Sequence, residues 1–119
     1  MKKVNLREKF GRVHDHWNPK IVGALNGQHV KIVKLLGEFV WHKHEEEDEL
    51  FYVVEGRLEI VLRNESISLC EGEFFIVPKG VEHKPVAHTE AHVMLFEPAS
   101  TLNTGDVRNE YTRETLEEI

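Results

Sequence analysis

The stretch WHKHEEEDELFYVVEG, residues 41–56, decides how the chain is read. Two histidines alternate with other residues, five carboxylates follow, and an apolar segment then runs to Gly56. In an extended segment residues of equal parity share one face, so His42 and His44 point together with Glu38 and Val40. Phe39, Trp41 and Lys43 take the other face. Two imidazoles turned into a barrel are costly to bury unless their nitrogens meet partners, and a divalent cation suits neutral imidazole best. Glu49 opens the next strand on the face of Phe51 and Val53, so its carboxylate can return to the same interior. That gives two nitrogens and one oxygen. Glu45, Glu46, Glu47 and Asp48 read most simply as a solvated loop, the sharper alternative being a cation-attracting mouth. His-x-His alone is a weak signal, because such pairs are as often surface residues.

Outward from this stretch the chain reads as all-β. Lys20–Leu25 and Gln28–Leu36 flank Asn26-Gly27, the dipeptide that supplies the positive φ angles of a type I′ hairpin. Further strands are expected at EFVWHKH, ELFYVVE, RLEIVLR, SISL, EFFIVP and AHVMLFE, separated by EG, RNE, EG, PKG and HTE. This regular spacing predicts a barrel-like sandwich. Asn5 with Glu8 three residues on predicts a cap for a short N-terminal helix, and the polar tail from Pro98 is expected to hold one helical turn after Thr112. With 119 residues the expectation is one domain, 1–119, with a barrel core at about 20–97 between an N-terminal extension (1–19) and the tail (98–119).

Composition excludes several partners. Fifteen Lys and Arg stand against 21 Asp and Glu, with no basic block, which disfavours phosphate backbones and anionic membranes. Cys70 is the only cysteine, so an intramolecular disulfide and a four-thiolate zinc site are both ruled out. It reads as a small core residue. The lysines of the opening MKKVNLREKF have no apolar segment behind them, and FFIV and VMLF are far too short to span a bilayer. A cytoplasmic location is the expectation.

Downstream, GEFFIVPKGVEH (72–83) supplies a turn glycine, a strand, a Pro-x-Gly turn and one histidine. Here the chain resembles the cupin superfamily, and within it the small single-domain members. The family's first motif, His-x-His, a short gap, Glu, six residues and Gly, is matched by His42, His44, Glu49 and Gly56. The second, Gly, five residues, Pro-x-Gly, two residues and His, is matched by Gly72, Pro78, Gly80 and His83. The family's glycine six positions before the first histidine is Leu36 here, with Gly37 one position late, and its asparagine four after the last histidine is Ala87. The late glycine bears on the local strand register. The resemblance implies a double-stranded β-helix, a small jelly-roll barrel, holding one divalent metal through His42, His44, Glu49 and His83. Such a donor set suits iron, manganese, nickel, copper or zinc without choosing among them.

The fold hosts isomerases, dioxygenases and non-catalytic binding modules. The expected activity is that of a small metal-dependent enzyme of isomerase or dioxygenase type acting on a small polar metabolite. The alternative is a metal-bearing module that binds a small ligand without turnover. Phe51 and Val40 are expected to line the pocket. His92, on a strand bordering it, and Glu38, of one parity with His42, are the candidate acid–base groups; His14, His16, His29 and His88 read as ordinary surface or core residues. Phe39 and Trp41, if outward, form an apolar patch that a monomer seldom leaves bare. Either the N-terminal segment with Phe10, Val13 and Trp17 folds over it, or it is the face of a homodimer, the expected assembly.

Overall fold

The computed structural model describes residues 1–119. A single helical turn, α1 (Leu6–Phe10), precedes seven strands: β1 (Lys20–Leu25), β2 (Gln28–Glu38), β3 (Glu49–Glu55), β4 (Leu58–Leu62), β5 (Ser66–Leu69), β6 (Phe74–Val77) and β7 (His83–Pro98). Asn5 caps α1, its side-chain oxygen accepting from the Glu8 N–H at 3.1 Å. The Asn26-Gly27 hairpin forms with φ angles of 49° and 78°, and Leu25 pairs with Gln28 across it. All strand pairs are antiparallel, in the order β1-β2-β7-β3-β6, with β4 added to β7 and β5 to β4.

Strand β7 makes this a barrel. Its first part pairs with β4 and its second with β3, while β2 follows it through both. Between the two parts the β2–β7 register steps from Leu35↔Ala91 to Gly37↔Ala87, so three residues of β7 oppose one of β2. His88-Thr89-Glu90, expected as a turn between strands, is therefore a bulge within one long strand. Bulges of this kind bend a sheet and raise its twist.

Alternation fills the interior. Val33 and Leu35 of β2, Phe51 and Val53 of β3, Leu58 and Ile60 of β4 and Val93 and Leu95 of β7 all belong to one buried cluster. A smaller cluster of Phe10, Val13 and Ile32 seats α1 on the outer face of β2. The 98–119 tail holds no helical turn after Thr112. It is tied down instead, with Ile119 N–H bonded to Ile21 O and Ile21 N–H to Glu117 O. Cys70 is exposed rather than in the core, its N–H donating to Glu73.

The strand expected at EFVWHKH does not form. Gly37 takes φ +86°, β2 ends at Glu38, and the chain turns across the barrel opening. Strict parity fails there, because Phe39 and His42 both point inward. Phe39 is buried, stacked on Trp17 at 4.7 Å and tilted against Tyr111 at 5.3 Å. Trp41 lies outside and half-buried, but the Arg63 guanidinium covers its ring at 3.8 Å. The expected aromatic patch is thus divided between the interior and a cation–π contact.

Candidate metal centre

His42 and His44 come from the segment after β2, Glu49 from the first position of β3, and His83 from the first of β7. The two histidine segments are stitched by paired backbone bonds, His42 N–H to His83 O at 3.1 Å and His83 N–H to His42 O at 2.9 Å. The Pro-Lys-Gly turn is bonded to the same region: Gly80 N–H donates to His44 O and Lys79 N–H to the Asp48 carboxylate. Asp48 therefore fixes the loop, while Glu45 pairs with Lys43 and Glu47 accepts from Ser100.

All four side chains are buried, and one ligand atom from each lies within 4.8 Å of the others. The Nδ1 of His42 bonds Val40 O at 2.9 Å and the Nδ1 of His83 bonds Val81 O at 3.0 Å. A carbonyl only accepts, so Nδ1 carries the proton in both rings and Nε2 is left as the free lone pair. The Nε2 atoms of His44 and His83 each stand 3.3 Å from Glu49 Oε1. Neither nitrogen of His44 has a well-aligned hydrogen-bond partner, although the ring is buried. A buried imidazole without partners is costly, and a cation among three Nε2 atoms and one carboxylate oxygen satisfies it. The residues present fit a divalent transition metal.

The charges agree. Burial, reinforced by the neighbouring His83, lowers His42 to about 4, so the ring is neutral. Burial opposes ionisation of Glu49, but bonds from His44 and His83 outweigh it and hold the carboxyl well below its usual range. Burial also lowers His44, and the adjoining Glu49 carboxylate overcomes it and raises the ring. Behind Glu49 lies a second carboxyl, Glu97, which burial and the charge of Glu49 push well above the usual range. Its Oε1 accepts from Lys31 Nζ at 2.8 Å.

The cluster borders a cavity of about 40 Å³ whose wall includes Trp17, Val33, Leu35, Phe39, Phe51 and Leu95, with His42, Glu49 and Asn103 as its polar groups. That is space for about two or three water-sized molecules. Phe51 lies in the cavity wall. Val40 is half-buried against the core and contributes its carbonyl to His42. The structure does not bring His92 or Glu38 to the cluster. His92 shares the outer face of β7 with Met94, stacked on Phe10 and flanked by Glu55 and Glu90. Glu38 is exposed and paired with Lys84, because the Gly37 turn carries it out of the His42 face.

Sequence reasoning missed the roof. Trp17 is held at φ +58°, a conformation few non-glycine residues adopt, by its N–H to Lys34 O and its indole to Leu36 O. Asn103 and Tyr111 come from the tail, where nothing in a polar, aperiodic segment marks them. Lys31 and Glu97 were findable, since both sit at inward parity among apolar neighbours.

A family model described as "Cupin domain" matches residues 31–97. Among solved structures, a cupin-2 domain containing protein from Shewanella frigidimarina is 45% identical, with 80% of this chain and 93% of that one covered at a TM-score of 0.79. Protein NMB1881 from Neisseria meningitidis is 30% identical over 82% of this chain and all of its own, at 0.76. The protein YdbB of Bacillus subtilis is 30% identical over 87 residues, 64% of this chain and 77% of the relative.

Proposed function

The chain belongs to the cupin domain family, and from that premise we propose that it is a small metal-dependent enzyme of isomerase or dioxygenase type. One divalent transition metal is held by Nε2 of His42, His44 and His83 and a carboxylate oxygen of Glu49. Bound there, such an ion supplies Lewis acidity, activates water, or takes part in redox chemistry according to its identity. The observation that carries the reading is that His42 and Glu49 belong both to the ligand set and to the cavity wall. A molecule in the cavity therefore meets the ligand set directly. The aromatic and aliphatic wall favours a substrate that puts an apolar portion against Trp17, Phe39 and Phe51 and turns its polar atom to the metal and Asn103. The polar metabolite expected from the sequence is narrowed to one with an apolar part.

One observation favours the non-catalytic alternative. Apart from the ligands, Asn103 is the cavity's only polar side chain, and it neither donates nor takes up a proton near neutral pH. Elemental analysis followed by a turnover screen with oxygen-consumption readout separates the two. Iron or manganese with turnover supports the enzyme; a tightly held metal with no turnover on any substrate class supports the binding module.

We infer that the chain pairs as a twofold homodimer, through a face other than Phe39 and Trp41. Across β6, β3 and β7 the register aligns Phe74, Tyr52 and Met94 in one row and Ile76, Leu50 and Phe96 in the next, with Val30 of β2 beyond Phe96, while Ile32, beyond Met94, lies under Phe10 and Val13. Phe74 is 58% and Ile76 47% exposed at the β6 end. A contiguous outer apolar face supports a self-complementary contact.

A further inference from the structure

Lys31 and Glu97 are the charges that the proposed chemistry does not use. Both side chains are 2% exposed, and they form an ion pair inside the barrel rather than on its surface. Sixty-six residues apart in sequence, they become diagonal neighbours because β2 and β7 pair with Lys31 opposite Leu95 and His29 opposite Glu97. Burying an ammonium and a carboxyl is costly even when they meet, and apolar residues of similar volume commonly pack such a site as well or better. Stability alone is thus a poor reason to find them here.

Their place suggests another reason. The Glu49 carboxyl makes its ligand-side contacts to His44 and His83, and the β3–β7 register, with Leu50 opposite Phe96 and Phe51 opposite Leu95, carries on to set the buried Glu97 beside it. No backbone N–H donates to the Glu49 side chain. Lys31 in turn holds Glu97 through Oε1, leaving Glu97 Oε2 buried and without a hydrogen-bond partner. The order is Lys31, Glu97, Glu49, ligand cluster, every member buried.

We propose that Lys31 and Glu97 are positioning residues that lock the Glu49 carboxylate in its ligating orientation and so set how tightly, and in what geometry, the centre holds its metal. This rests on the reading of His42, His44, Glu49 and His83 as the metal ligands. Groups behind a ligand commonly change metal affinity by roughly 10–100-fold when removed. Because the two act in series, loss of either frees Glu49 to a similar degree.

The test uses cobalt(II), whose visible absorption reports ligand geometry, titrated into the metal-free full chain against a competing chelator. Lys31→Met and Glu97→Gln are each expected to weaken binding roughly 10–100-fold and to shift the cobalt bands. The double variant Lys31→Met/Glu97→Leu should resemble one single variant rather than their product. Val53→Ala, a core truncation in the same barrel, should lower the unfolding midpoint and leave affinity and spectrum alone. Wild-type affinity and bands in the folded single variants overturn the proposal. If the single variants do not fold, the apolar double variant decides, and wild-type binding in it overturns the proposal equally. A wild-type chain that binds no cobalt defeats the ligand assignment itself, and the two failures are thereby distinguished.

Discussion

Substitution of Gly105 by alanine tests how the tail is joined to the metal centre. Gly105 lies in the turn after Leu102 with φ +56°, and a Cβ built on it falls 2.2 Å from Lys43 O, 2.9 Å from the Lys43 carbonyl carbon and 3.1 Å from His42 Cδ2. Contacts that short do not exist, so the turn must lift by about 1 Å. Two bonds hold it in place: Asp106 N–H to Lys43 O and Lys43 N–H to the Asp106 carboxylate, both 3.0 Å. The left-handed backbone costs an alanine about 1–2 kcal/mol, and losing the two bonds adds about 1 kcal/mol each, or about 3–4 kcal/mol together. Gly27→Ala supplies the reference, because Gly27 is also left-handed but has nothing within 4 Å of its would-be Cβ. It should cost only the backbone term. Urea unfolding of the metal-free protein is the assay, with Gly105→Ala lower in stability than Gly27→Ala by about 2 kcal/mol. Equal losses within about 0.5 kcal/mol would refute the docking of the tail on the His-x-His segment.

Elemental analysis should find one divalent ion per chain, and His83→Ala should lose most of it; full occupancy in that variant would remove the site. Metal held at about a hundred times its dissociation constant should add roughly 2.7 kcal/mol to stability, so a chelator lowers the melting temperature, and an unchanged melting curve counts against the centre. In the metal-free protein His42 is lowered from 6.5 to about 4: the unfolded chain takes up this proton first, so the stabilisation is complete above pH 6.5 and is lost as pH falls toward 4. The loss is about 3 kcal/mol, and His42→Gln should flatten that part of the profile. His44, raised by Glu49, acts in the opposite sense, its contribution being present below its ordinary value and lost as pH rises through the folded one. For assembly, Phe74→Lys with Ile76→Lys should give a folded monomer in light scattering while Trp41→Glu does not dissociate the protein; a monomeric wild type ends the dimer reading.

The parts of the fold set by local dihedral chemistry were legible. Asn26-Gly27 announces its turn because few other pairs tolerate two positive φ angles, and Asn5 announces α1 because a side-chain oxygen reaches the N–H three residues on. The ligand spacing was legible for a related reason: short loops and a Pro-x-Gly turn leave little freedom in where His44, Glu49 and His83 arrive. Phe39 was misplaced because parity holds only along an unbroken strand. Gly37, one position later than the family pattern, ends β2 and lets Phe39 and His42 both face inward. His92 was misplaced by one residue of register: Ala91 and Val93 point into the barrel and His92 does not. The tail was illegible because its bonds run between polar groups without period, as in Thr104 to Thr112 and Arg113 N–H to Asn103.

That last gap matters for chemistry more than for fold. The family match spans 31–97 and contains all four candidate metal ligands, together with Lys31 and Glu97 at its two ends. The cavity extends beyond it. Trp17 and Pro19 line it from before the matched region and Asn103 from after it, while Tyr111 packs against both Trp17 and Phe39. The barrel can thus be shared in full by two chains that enclose different spaces above the same ligands. An ion is bound by atoms whose spacing the barrel dictates, whereas a substrate is discriminated by the wall it touches, at about 1–3 kcal/mol per methylene-sized misfit. On the proposed reading, the residues that select what reaches the ligand cluster therefore include Trp17 and Asn103, and substitutions there should alter ligand preference while leaving metal affinity near its starting value.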